Sequence, residues 1–404
     1  MTEPLFITDD KGLESFTEKL RGCRLLGVDT EFLTERNYFP RLCLLQIATE
    51  NLLAVVDPLG CSDLTVLGDV LDDDVELVVH SGEQDLAIID RHLGRVPANV
   101  FDTQIAAAFL GYGHKIGYSR LVEACCGKRP KSSEAYTDWA RRPLEPGQID
   151  YALDDVRYLL RCRRFLMKEL RAVGRLEWAE QECALARATA LEGYDPYRQW
   201  RRVSGGRGLN GQQLVILREV AAWREKEAAA RNEPRQRIVS DRVLVELARR
   251  APKRREELRG YRGMHPKEAA RSGKAILAAV QRGRQMPPEA LPVRPRRTGP
   301  DDDPNVAALA TLLDAFLRAR ALDLEISSRL LANRRDLERL VRFSLNGAIA
   351  GEEGEPSSED PHPLLQGWRR QVAGEDILRL LRGELTLGIE KLQSGRSVIS
   401  VKES

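Results

Sequence analysis

Apolar and polar positions along the first 190 residues switch between two periods. The runs "RLLGVDTEFL", "RLCLLQIAT" and "LLAVVDPL" are short, apolar and separated by brief polar segments. That spacing predicts three strands in an antiparallel meander. "VELVVH" predicts a fourth strand, and "GEQDLAIIDRHLG" then carries apolar residues at helical spacing up to a glycine stop. "NVFDTQIAAAFLG" predicts a fifth strand running into a helix. From about Pro146, "PGQIDYALDDVRYLLRCRRFLMKELRAVG" predicts one long helix, with proline in its first turn and glycine at its end. Three strands followed by strand–helix units define an α/β domain with a mixed sheet.

Beyond this domain the pattern becomes all-α. The basic, glycine-rich "RQWRRVSGGRG" predicts a linker, and Asn210 then stands as an N-cap before helical periodicity that lasts to about Gly283. "MPPEALPVRPRRTGPDDDPN" predicts a second linker. Helical periodicity resumes near Val306 and is interrupted by an acidic insertion at 346–363. The expected domains are therefore 1–195, 208–286 and 304–395.

At 404 residues, two or three domains are the natural division, and 42% apolar with 31% charged residues suits a soluble globular chain. No apolar run approaches the ~18 residues that span a bilayer. The N-terminus carries acids where a secretory signal needs a basic start. A cytoplasmic protein without membrane attachment is expected. The seven cysteines include no CxxC pair and read as reduced thiols. Charge is strongly uneven. Residues 1–200 hold 24 basic and 33 acidic side chains (net −9), residues 201–300 hold 25 and 10 (net +15), and the remainder is net −4. The basic middle points to a polyanion such as nucleic acid.

The apolar strand "GVDTEF" raises a chemical question, because Asp29 and Glu31 alternate onto one face of it. Asp85 in "HSGEQDLAII" falls in the first turns of the following helix. Tyr151 and Asp155 in "YALDD" fall four apart on one face of the long helix. Four carboxylates on three elements cannot remain ionised together in a partly dry site without cations. Hard oxygen donors with room for water and phosphate suit Mg²⁺ or Mn²⁺. Two such ions serve in-line phosphodiester displacement.

The order DTE, HSxxxD, YAxxD resembles the three motifs of the DEDDy 3′→5′ exonucleases. "FDTQIAAAFLG", "TDWARRPLEPGQIDYALDDVRYL" and the helical region after them resemble the bacterial ribonuclease D family over nearly the whole chain. The resemblance implies an RNase H-like exonuclease domain followed by two helical HRDC-type domains. It implies Asp29, Glu31, Asp85 and Asp155 as ligands of two divalent ions, and Tyr151 as the residue that positions the attacking water. It also implies RNA substrates, chiefly the 3′ extensions of tRNA precursors and other structured RNAs, cut to 5′-mononucleotides by a monomer.

Around these acids the residues support more than one reading. Phe32 is a candidate to stack on the terminal base, or to pack in the core. His80, at a strand end, is a candidate for packing or for a substrate contact. Asp102 reads as a hydrogen-bonding group at a strand–helix junction. Arg235, Arg237, Arg254 and Arg255 are candidate phosphate contacts in the basic region, whose bundle core is expected to include Trp223, Leu244, Leu247 and Ile276. The loop "GKRPKSSEAYTDW" is a candidate substrate contact or a solvated segment. The rival functions are a DNA-directed 3′→5′ exonuclease and a non-catalytic RNA-binding protein with a nuclease fold. An intact set of four acids and a tyrosine argues against the second.

Overall fold

The computed structural model describes residues 3–130, 137–193, 195–206, 208–287, 304–345, 362–391 and 397–403. Strands β1 (Leu5–Ile7), β2 (Leu25–Leu33), β3 (Arg41–Ala48), β4 (Leu53–Val56), β5 (Glu76–Val79) and β6 (Asn99–Asp102) form one sheet in the order β1-β4-β3-β2-β5-β6. The pairs β2–β3 and β3–β4 are antiparallel, as the meander requires, and the pairs with β1, β5 and β6 are parallel. β1 is additional to the five expected strands. At three residues on the sheet edge it is too short to show a period.

The helices of this domain are α1 (Asp10–Leu20), α2 (Thr65–Gly68), α3 (Glu83–Leu93), α4 (Thr103–Ala108), α5 (Tyr118–Cys126), α6 (Pro146–Arg157), α7 (Leu159–Ala172) and α8 (Leu176–Leu191). Leu26, Val28, Leu45 and Ile47 enter a core with Leu13 and Phe16 of α1 and Ile88 and Ile89 of α3. Leu44, Ala48 and Val78, on the opposite face, pack with Ala152 and Val156 of α6 and Leu159 of α7. The single long helix expected from Pro146 is thus two. The hydroxyl of Tyr118 accepts the Tyr158 amide at 3.3 Å, so the ladder is interrupted there and the axis can change. α7 then crosses β2 at Gly27, where a Cβ would lie only 3.3 Å from Leu159 Cβ.

The expected linker "RQWRRVSGGRG" is in part ordered structure. Its Trp200 ends up buried, at the end of a 3₁₀ helix (Pro196–Arg202), in the core of the next region. That region comprises α9 (Gly211–Arg231), α10 (Arg235–Ile238), α11 (Asp241–Arg250) and α12 (Pro266–Gln285), with Asn210 and Gln213 forming a capping box. Trp223, Leu244, Leu247 and Ile276 are buried in its core, as expected.

The last region holds α13 (Pro304–Asp323), α14 (Ser328–Leu331), α15 (Arg334–Leu345), α16 (Gly367–Arg369) and α17 (Glu375–Leu381). It ends in a hairpin, β7 (Leu385–Lys391) with β8 (Ser397–Glu403), which the helical expectation omits and which runs past the limit drawn at 395. "LTLGIEK" alternates with period two, whereas "SVISVKE" sets Val398 beside Ile399, so only the first strand carries a clear signal. Among the described residues its buried side chains are continuous with those of the α/β domain. Leu313, Phe316 and Leu337 belong to one apolar cluster with Phe109 and Leu166 of the α/β domain. Trp368 stacks on Trp178 at 5.3 Å and meets Phe109 edge-on at 5.0 Å, and its indole N–H donates to Glu182 at 2.9 Å. The second linker, the acidic insertion and the centre of the loop before α6 lie outside the described residues, apart from their ends. Among the described residues no helix is long and apolar enough to cross a membrane, and all seven cysteines are free thiols.

Candidate active site

Strand alternation sends Leu26 and Val28 to one core and leaves Asp29 and Glu31 on the other face, opposite Gln46 and Leu44 of β3. α6 lies over this face and brings Tyr151 and Asp155 down on it. The ligand oxygens of Asp29, Glu31 and Asp155 all fall within 4.8 Å of one another. Asp85 stands in the first turn of α3, outside that group. It is buried, and its carboxylate accepts a short hydrogen bond from the Thr30 hydroxyl. Asp154 does not join the site and pairs with Arg157 at 2.8 Å.

The four acids are electrostatically frustrated. Burial, followed by the charges of Asp85, Asp155 and Glu31, holds the Asp29 carboxyl well above the usual range. Burial with Asp155 and Asp85 pushes Glu31 up to about 8. Burial, partly offset by a hydrogen bond from Tyr151, brings Asp155 to about 7, with Asp154 and Asp85 adding to the rise. Burial also raises Asp85, against the hydrogen bond from Thr30. The charges named as acting on these groups are all negative, so hard oxygen donors converge with no cationic partner among them. This donor set fits a divalent metal ion. The Tyr151 phenol is raised well above its ordinary value by burial and by Asp155, Glu31 and Asp29, so it remains protonated.

A second set of residues holds the helix in place. Pro146 opens α6 behind a Glu145–Gln148 capping box, and Gln148 Nε2 donates to the Thr137 hydroxyl at 2.9 Å. Arg142 grips buried Asp57 with two hydrogen bonds, 2.5 and 2.7 Å, and donates to the carbonyls of Cys43 and Trp139. Trp139 in turn lies 6.0 Å from the Tyr151 ring. Thr30, Asp57, Trp139 and Arg142 were not singled out from the sequence. The one available signal was a threonine between two acids on a buried strand.

The remaining candidates separate. Phe32, partly buried, packs against the core on the face opposite the acids, after a bulge between Glu31 and Phe32. His80 meets Thr103 Oγ1 at 2.9 Å and the Ile116 carbonyl at 3.1 Å. Both ring nitrogens therefore have partners within the fold. Asp102 accepts from the amides of Ser81, Gly82 and Gln104, which is the junction role expected of it. Arg235 lies 3.8 Å from Glu225 and over the Tyr38 ring, at the contact between the α/β and helical regions. Arg255 donates to the Ala270 carbonyl, while Arg237 and Arg254 are exposed.

A family model described as 3′-5′ exonuclease matches residues 4–171, and one described as HRDC domain matches residues 213–280. The mixed sheet with its facing acids is that of a 3′–5′ exonuclease, a class that works with divalent metal ions. Ribonuclease D of Gluconacetobacter diazotrophicus is 38% identical over 96% of this chain and 95% of its own length. That of Zymomonas mobilis is 36% identical over 95% and 96%. The crystal structure of Escherichia coli RNase D matches with a TM-score of 0.79 at 32% identity, covering 95% of this chain and 99% of that one. The chain belongs to the ribonuclease D family and is a 3′–5′ exoribonuclease.

Proposed function

We propose that this enzyme trims 3′ extensions of tRNA precursors and other structured RNAs one nucleotide at a time, releasing 5′-mononucleotides. The reading assigns Asp29, Glu31, Asp85 and Asp155 to two Mg²⁺ or Mn²⁺ ions. The observation that carries it is the convergence of Asp29, Glu31 and Asp155 within 4.8 Å. Bound there, divalent ions supply charge neutralisation at the scissile phosphate and lower the pKa of water. Tyr151, protonated and hydrogen-bonded to Asp155, orients the attacking water and takes no proton from it. Asp85, tied to Thr30, completes the charge around Asp29. The E. coli relative is described as acting in structured RNA processing, which favours the same substrate class here.

The reading keeps the units 1–195 and 208–286 and carries the third from 304 through the hairpin strand Ser397–Glu403. The second holds the RNA body through exposed basic residues such as Arg237 and Arg254, and the third is a divergent HRDC-like domain. It also takes the enzyme as a cytoplasmic monomer. The test uses a 5′-labelled tRNA with a short 3′ extension, in Mg²⁺ or Mn²⁺, with wild type and Asp155→Ala side by side. A ladder shortening from the 3′ end in wild type alone supports the site and the substrate. Preference for a matched single-stranded DNA would return the assignment to a DNA-directed exonuclease. An intact RNA that is still bound would favour recognition without catalysis.

A further inference from the structure

Asp85 stands apart from the other three acids, and the segment that carries it is held from a neighbouring strand. Only His80, Ser81 and Gly82 join β5 to α3. Ser81 lies in the left-handed region, with φ at 61°, a conformation that strains any residue with a Cβ. Gly82 has no room for a side chain, since a Cβ there would lie 2.5 Å from Val79. α3 has no side-chain cap at its own N-terminus. The turn is gathered instead by Asp102, which pairs with Val79 in the β5–β6 register and is 6% exposed. Its Oδ1 accepts the Ser81 amide at 3.0 Å, and its Oδ2 accepts the Gly82 amide at 2.9 Å. The same carboxylate caps α4, accepting the Gln104 amide at 2.8 Å and the Ile105 amide at 3.4 Å. The Gly82 carbonyl then accepts the Leu86 amide at 2.9 Å. The residue that Asp102 grips therefore opens the helical turn on which Asp85 stands. Thr30 holds the Asp85 carboxylate, so side chain and backbone are anchored separately.

We infer that Asp102 is a positioning residue for Asp85, its carboxylate holding the strained Ser81–Gly82 turn and so setting where α3 presents Asp85 to a divalent ion. The inference rests on the assignment of Asp85 as a ligand and adds to it a residue outside the four acids. A carboxylate suits the task because it has no proton to set against the amides. In Asp102→Asn one side-chain oxygen becomes an NH₂ donor, so N–H meets N–H either at Gly82 or at the amides on Oδ1. Residues that orient a metal ligand commonly change affinity by about 10–100-fold. Asp102 acts through the backbone, which places its effect at the lower end.

The test is calorimetric titration of the full chain with Mn²⁺ in wild type, Asp102→Asn, Asp102→Asn combined with Ser81→Gly, and Asp85→Asn, with thermal melting of each in EDTA. D102N should bind Mn²⁺ about tenfold more weakly at temperatures where it is folded. Ser81 is exposed and glycine takes the left-handed turn freely, so adding S81G should restore part of that affinity. D102N also removes a charge that acts on Asp85, and S81G separates the two effects because it returns no charge. A loss that S81G leaves unchanged would overturn the inference, as would wild-type affinity in D102N beside lost affinity in D85N. Wild-type affinity in D85N would overturn the ligand assignment and this inference with it. If D102N does not fold, Ser81→Val, which resists the left-handed conformation and leaves Asp102 in place, carries the same titration. Wild-type affinity in S81V, or failure of both variants to fold, would reject the inference.

Discussion

Tyr151 and Asp155 share a hydrogen bond, and their roles can be separated because of it. Tyr151→Phe removes the hydroxyl that orients water but no carboxylate. Single-turnover degradation should slow on the order of 10²-fold, while Mn²⁺ affinity stays near wild type. Asp155→Asn should lose both. The same carboxylates couple protonation to folding. Their folded pKa values, about 8 for Glu31 and about 7 for Asp155, lie above the ordinary 4.5 and 3.8. Between these limits the folded chain binds more protons than the unfolded one, so its stability falls as pH rises from about 4 to about 8. With metal stripped by EDTA, the melting temperature should drop across that window by an amount worth on the order of a few kcal/mol. Asp155→Asn should flatten the slope, and Mn²⁺ uptake at pH 7 should release protons in a calorimeter run in two buffers.

Among the elements, the segment before α6 shows how a helix carrying catalytic side chains is fixed at its approach rather than along its length. Asp57 is 5% exposed and its charge is met by Arg142. Arg142→Ala would leave that carboxylate buried and alone, costing about 3–5 kcal/mol and loosening Trp139 beneath Tyr151. Thermal melting and the degradation rate should both fall in R142A, and Asp57→Asn in the same chain should recover part of the melting temperature. This scale also marks what the sequence made legible. Alternation placed Asp29 and Glu31 on one face, and spacing placed Tyr151 four before Asp155, because both depend on local geometry alone. The Arg142–Asp57 pair spans 85 positions and the Tyr118 hydroxyl reaches the Tyr158 amide across 40, so no local period announces either. Phe32 was ambiguous for a related reason. The bulge beside it leaves simple alternation unable to say which face it takes.

At the scale of the whole molecule the two C-terminal regions attach in different ways. The HRDC region has its own core and meets the α/β domain at Tyr38, whose ring packs on that core and whose hydroxyl meets Glu225 at 3.1 Å, and at the Phe39 amide, which donates to Asn232 at 3.1 Å. The last region shares the α/β domain's core. Trp368→Ala would remove an aromatic stack and a hydrogen bond from that shared core, costing about 3–5 kcal/mol. The expected sign is nuclease activity lost on heating at a lower temperature, in step with the far-ultraviolet signal of the α/β domain, whereas a protein with an independent third domain would keep its activity. The shared core has a consequence for how the chain is made. Val306, Leu313, Phe316, Leu337 and Ile377 are synthesised after both the nuclease and the HRDC region, yet they belong to the apolar cluster that the nuclease begins with Cys43 and Leu44. A ribosome therefore delivers the acidic strand early and the packing that closes its domain late. The nuclease core is thus completed only after the whole HRDC region has been made.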